Sequence, residues 1–185
     1  MRFILICSLL LAGCNVYAKE IAGVIVQETV KTENGTVLKL NGAGIRKKFF
    51  MDIYLAELYL EQTGAVAQEI IDNQGQKRVV MHILYKEIPQ DKLVDGWNEG
   101  FSSNMSETAL EALKNRIESF NAMFEGVTKG QLIVFDYLPE QGTRVSIAGA
   151  LKGIIPGKDF NDALLAIWLG DKPVTKSLKK ELLGL

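Results

Sequence analysis

Residues 49–60, FFMDIYLAELYL, constrain the fold more than any other stretch of the chain. In an extended conformation Phe49, Met51, Ile53 and Leu55 fall on one side, and Phe50, Tyr54, Ala56 and Leu58 on the other, so both alternation sets are largely apolar. A strand of that composition needs cover on both faces. At about 3.3 Å per residue it would run to roughly 40 Å, so a bulge or bend is predicted. The 185-residue chain is long enough to supply that cover from one domain and too short for two.

The other segments pair around this strand. Ile21–Thr29 and Val37–Leu40 read as a hairpin turning at Asn34-Gly35, and Leu132–Leu138 and Arg144–Ala148 as a second one across Pro139–Gly142. Arg78–Lys86 reads as a further strand. Helices are predicted at Gly64–Gln74, at Pro89–Asn104 and from Phe160 to Leu169, with a last one introduced by Pro173 and ending in Leu182 and Leu183. In the Pro89–Asn104 helix Leu93, Trp97 and Phe101 form a stripe, and the helix breaks between Ser102 and Ser106. The clearest amphipathic helix carries Leu110, Leu113, Ile117, Phe120 and Phe124, with Thr108 and Glu111 in capping-box register. Strands in hairpin pairs and helices in blocks, without βαβ units, make an α+β fold: an antiparallel sheet with helices packed largely on one face.

The N-terminus addresses the chain. MRFILICSLLLAGCNVYA has Arg2, an apolar run from Phe3 to Ala12 and then small residues, the pattern of an export signal. Residues 1–18 are expected to be removed, leaving a domain at 19–185 that is exported and periplasmic. Leu11-Ala12-Gly13-Cys14 also matches a bacterial lipobox, in which case the signal is 1–13 and Cys14 carries a lipid anchor. A strand pattern beginning near Ile21 would leave that anchor almost no tether. No segment reads as a transmembrane span. Cys7 and Cys14 are the two cysteines, so the folded domain offers no disulfide, cysteine metal site or cysteine nucleophile. A net charge of −1 gives no footprint for nucleic acid.

LNGAGIRKKFF, residues 40–50, holds the main candidate site. A dinucleotide fingerprint would need glycine where Lys47 stands and a helix afterwards, and a phosphate loop would need Gly-Lys-Ser/Thr, so nucleotide cofactors are not expected. Gly42-Ala43-Gly44 reads as a tight connection. Arg46 then enters an apolar strand, where a guanidinium must reach solvent, pair, or bind an anion such as a carboxylate. Tyr54 and Tyr59 further along are core aromatics or hydroxyl donors beside an anionic head group. His82, the one histidine, reads as structural, with no triad and no metal set around it. Asp52 and Glu57 fall on opposite faces and make no carboxylate pair. Trp97 and Trp168 occupy helix faces and read as core.

Gly42-Ala43-Gly44-Ile45-Arg46, Phe50-Met51-Asp52-Ile53-Tyr54 and Leu58-Tyr59-Leu60-Glu61 resemble the chalcone isomerase superfamily, whose Gly-Ala-Gly-x-Arg turn leads into a strand ending in Tyr-Leu-Glu. Ala163–Asp171, Pro173-Val174 and Leu178-Lys179-Lys180 look like its closing helices, and LNGAGIR, IPGKDF and WLGD are most similar to its bacterial exported branch. The resemblance spans about residues 20–185 and implies an open-faced sandwich: a large antiparallel sheet, a helical layer, and a ligand cleft between them. In the plant enzymes the arginine, here Arg46, lies in the substrate cleft. A threonine of their next strand falls on Tyr54, and plastid fatty-acid-binding relatives carry tyrosine there, paired with the arginine to hold a carboxylate. The enzymes' helix tyrosine and asparagine fall around Lys92 and Glu99, and the Thr-Met of their specificity helix is replaced by Ile167-Trp168.

Most of the hydrogen-bond network that flavonoid cyclisation requires is therefore replaced. The resemblance implies a non-catalytic binder of a small apolar or fatty-acid-like carboxylated ligand, held by Arg46 and Tyr54 and enclosed by Ile167 and Trp168, with no metal. An isomerase of the chalcone isomerase type and an envelope partner protein with a filled cleft are the alternatives.

Overall fold

The computed structural model describes residues 18–185. The expected export segment, with Cys7 and Cys14, lies outside the described residues up to that point. Among the described residues no helix is long and apolar enough to cross a membrane.

The chain opens with two hairpins, β1 (Ala18–Ile21) with β2 (Val24–Gln27), then β3 (Thr29–Lys31) with β4 (Val37–Lys48), and continues into β5 (Met51–Leu60). After α1 (Ala67–Asp72) and β6 (Lys77–Ile83) come β7 (Glu87–Ile88), α2 (Gln90–Asn104), α3 (Glu107–Asn121) and β8 (Val127–Thr128). The meander β9 (Leu132–Leu138), β10 (Gly142–Ile147), β11 (Ala150–Ile155) leads to α4 (Lys158–Leu169) and α5 (Lys176–Leu182). Seven strands form one antiparallel sheet in the order β11-β10-β9-β6-β5-β4-β3. The predicted α+β architecture is thus observed, with the doubly apolar strand β5 near the centre of the sheet.

The two faces of β5 are covered differently. Tyr54, Ala56, Leu58 and Leu60 join the main core under α2, α3, α4 and α5. That core is dense in aromatics: Trp97 lies 5.5–5.9 Å, centroid to centroid, from Phe120, Phe124, Phe135 and Trp168. On the opposite face Tyr59 joins a small cluster with Leu38 and Val80. The bulge expected along the long strand is present at Ile53, which is skipped between the pairs Arg46–Tyr54 and Lys47–Asp52, and a second falls on its partner β4 at Asn41, skipped between Leu40–Tyr59 and Gly42–Leu58.

Three local expectations need correction. Gly42-Ala43-Gly44 is not a connection but the middle of β4, and none of the three has a positive φ. The glycines serve a close approach: a Cβ on Gly42 would strike the backbone of Glu181 and Leu182, and one on Gly44 the Glu181 side chain. α5 therefore lies directly on β4, where Asn41 Nδ2 donates to Leu182 O at 2.7 Å and Ile45 N donates to Glu181 Oε2 at 3.2 Å. The α3 cap is Ser106, whose Oγ accepts from Ala109 N at 3.3 Å, two residues before the expected Thr108. The Ile21–Thr29 run is split by a turn at Ala22-Gly23.

Candidate ligand site

Arg46 and Tyr54 stand opposite each other across β4 and β5, on the face the helices cover. The guanidinium carbon of Arg46 lies 5.6 Å from the centroid of the Tyr54 ring, within cation–π range. The other described arginines are ion-paired: Arg78 with Asp136, Arg116 with Asp159 and Arg144 with Glu33. Arg46 is half-buried and has no carboxylate partner among the described residues.

Tyr54 is buried, and its hydroxyl oxygen accepts a hydrogen bond of 2.9 Å from Trp168 Nε1 on α4. An indole N–H only donates, so the phenol acts there as acceptor and keeps its own proton for another partner. Burial pushes the Tyr54 hydroxyl up from its ordinary pKa, against the opposing effect of the Arg46 charge and the bond from Trp168. At neutral pH it is an uncharged donor.

Beside this pair is a cavity of about 50 Å³ walled by Arg46, Ile53 and Tyr54 from the sheet, Lys92, Gly96 and Trp97 from α2, and Ile167 from α4. Trp97 is buried and its Nε1–H has no acceptor among the described residues. An unpaired buried donor costs about 1–3 kcal/mol. Lys92 is shared with Asp91 and Asp95 at the surface, at 3.4 and 3.3 Å. Every polar side chain that the described residues place on the wall is thus a donor, or, for Tyr54, has a donor proton left; no carboxylate or amide side chain among the described residues lies on it. A group with acceptors only, such as a carboxylate, complements that wall.

A family model described as chalcone isomerase-like matches residues 18–184. The chain belongs to the chalcone isomerase-like family. Among solved structures, this chalcone isomerase-like chain is similar to a fatty-acid binding protein of Arabidopsis thaliana, with a TM-score of 0.60 and 16% identity over 84% of this chain and 96% of that one. At that identity the likeness establishes the fold. No curated protein sequence matches the chain.

The chalcone isomerase-like resemblance places Arg46, Tyr54, Ile167 and Trp168 in one cleft, and the structure distributes them over two layers. Arg46, Tyr54 and Ile167 are on the cavity wall, whereas Trp168 lies behind it and reaches the site through the Tyr54 hydroxyl. Lys92 lies on the wall and Glu99 does not. Tyr59, Glu57 and His82 are on the opposite face of the sheet. There the Tyr59 hydroxyl meets Glu57 Oε2 at 2.8 Å and Gln27 O at 3.0 Å, and His82 Nε2 lies 2.9 Å from Glu57 Oε1. Burial raises the Tyr59 hydroxyl, and its hydrogen bond to Glu57 acts in the same direction. Asp52 pairs with Lys47 at 2.5 Å.

Two features of this chalcone isomerase-like site escape a reading of the sequence for core residues. One is the orphan donor of Trp97. The other is the pair of α2 glycines: Gly96 has open space where a Cβ would stand, while a Cβ on Gly100 would come 2.8 Å from Ile167 Cγ1. Gly96 and Gly100 stand four residues apart beside the Leu93–Trp97–Phe101 stripe, and that small-residue track is the signal that could have found them.

Proposed function

We propose that this chalcone isomerase-like protein is a non-catalytic binder of a small apolar carboxylate, of the fatty-acid kind, exported to the periplasm by its N-terminal segment. The donor-only wall carries the reading. Arg46 takes the carboxylate in its planar fork, Tyr54 donates a second hydrogen bond, and Trp97 gains the acceptor it lacks. The similarity in fold to a plant fatty-acid binding protein supports the same class of ligand.

The cavity of about 50 Å³ accommodates a head group and the first carbons of a tail. Pockets for drug-sized ligands run to roughly 300–1,000 Å³. A longer tail enters by parting α2 from α4, whose contact at Gly100 and Ile167 joins the two helices.

One observation favours a second reading, an envelope partner protein with a filled cleft: behind the cavity wall Trp168 is buried and packed on Trp97 and Phe135, so the core there is closed to a longer tail. Native mass spectrometry of the protein purified from its own envelope separates the two. Binding predicts a co-purifying carboxylated lipid that is lost in Arg46→Ala. An empty wild-type protein that also fails to take up added fatty acid, followed through the fluorescence of Trp97 and Trp168, supports the filled cleft. Cyclisation of a chalcone by the wild type would overturn the non-catalytic assignment.

A further inference from the structure

The hairpin that joins β4 to β5 ends in two phenylalanines that the fold does not use. Phe49 is 84% exposed and Phe50 fully so, and Met51 beside them is also exposed. Lys48 pairs with Met51, so Phe49 and Phe50 are the two turn residues. Phe49 has a φ of 56° and Phe50 is not in the left-handed region. In two-residue hairpins that first position is ordinarily glycine, asparagine or aspartate, because a side chain there is strained. Stability alone would select against phenylalanine at this position, and among the described residues neither ring is covered in exchange.

A basic collar surrounds this tip. Lys47 and Lys48 precede it directly. Leu84 N and Tyr85 N both donate to Ile53 O, at 3.0 and 3.1 Å, which brings the Leu84–Lys86 loop to the same end of the sheet. Lys129 N donates to Lys86 O at 3.2 Å and so adds the turn after β8. The end therefore carries Lys47, Lys48, Lys86 and Lys129 against Asp52 and Glu87, with exposed Tyr85 among them.

We infer that this end of the protein docks on an anionic lipid bilayer, with Phe49 and Phe50 in the interfacial region and the lysines on acidic head groups. Aromatic rings are favoured at the membrane interface, and lysines near an anionic surface are attracted to it over about a Debye length. The charge surrounding the rings selects a bilayer over an apolar patch on a neutral protein. Arg46 lies two residues before Lys48 on the same hairpin, so docking brings the mouth of the candidate cavity to the lipid surface. The surface stands independently of that cavity's ligand.

The test uses the protein in its naturally processed form. Phe50→Trp introduces an indole at the tip, and bilayers of brominated phosphatidylcholine, with and without phosphatidylglycerol, quench it on insertion. Quenching is expected with phosphatidylglycerol and is expected to weaken as salt rises. Co-sedimentation with such vesicles should fall at least tenfold in the double variant Phe49→Gly and Phe50→Ser, whose fold is secured by relief of the positive φ. Lys48→Glu should remove the dependence on phosphatidylglycerol. No quenching on either bilayer, or equal sedimentation of wild type and double variant, would overturn the inference. So would a lipid-free dimer that the double variant converts to monomer, which would assign the tip to a second copy of the chain.

Discussion

Trp168 donates its indole N–H to the hydroxyl oxygen of Tyr54 at 2.9 Å, with both side chains buried, and so ties the C-terminal half of α4 to the centre of the sheet. Removing either partner leaves the other polar group without water. Tyr54→Phe and Trp168→Phe should each lower stability by about 1–3 kcal/mol. In a double-mutant cycle read by urea denaturation, the coupling should be about 1 kcal/mol. Strict additivity would show that the bond contributes nothing.

The two glycines of α2 should answer oppositely to alanine. Gly96 has no atom within 4 Å of its missing Cβ, so Gly96→Ala gains helix propensity of about 0.5–1 kcal/mol, and its methyl narrows the cavity. Gly100→Ala presses on Ile167 and should lose about 1–3 kcal/mol. Thermal melts of the two variants check the sign, and fatty-acid uptake by Gly96→Ala should fall although the protein is more stable.

Arg46 and Arg78 differ in what they leave behind. Arg78→Met strands Asp136, which it contacts through Nε and Nη2, and should cost about 2 kcal/mol at this partly exposed site. Arg46→Met strands no carboxylate and should fall within about 0.5 kcal/mol of wild type, while ligand binding is lost. A large loss of stability in Arg46→Met would mean that the residue is structural.

Lys77 supplies a pH dependence of unusual sign. Its ammonium sits under α1, near Asn73 O and Gly75 O and 4.9 Å from the Tyr137 ring centroid. Burial, and then the nearby Lys158 charge, push it down from 10.5 to about 8. Between these values the unfolded chain binds the proton that the folded one has released, so stability rises with pH through this window. Below about 8 the penalty is fully present, up to about 3 kcal/mol. Urea midpoints at either end of the window should show the rise in wild type, and Lys77→Met should abolish it.

The sheet was legible where one alternation set was apolar and the turn residues were conventional. Leu132–Leu138 forms β9 over that same span, and Gly35 turns at a φ of 89° as Asn34-Gly35 foretold. β11 was missed because Ala150, Leu151, Lys152 and Ile154 are exposed, so no alternation announces the strand. The Gly42–Gly44 stretch was misread because its explanation, Glu181 and Leu182, lies far along the chain. Within the site, Arg46 was legible as a charge entering an apolar strand. The missing acceptor of Trp97 was not, since nothing local distinguishes a satisfied indole from an orphan. Phe49 and Phe50 likewise read as the start of a covered strand, because apolar pattern carries no information on which residues project beyond the last covered row.

The seat of α5 on β4 also orders events in time. A chain emerging N-terminus first from a ribosome delivers Gly42 and Gly44 long before Glu181 and Leu182, the residues that cover them. Until then the flat glycine track on β4 has no lid, and the edge of the core beside it stays open to water. Closure of this domain over β4 therefore waits until Glu181 and Leu182 have emerged and can be seated.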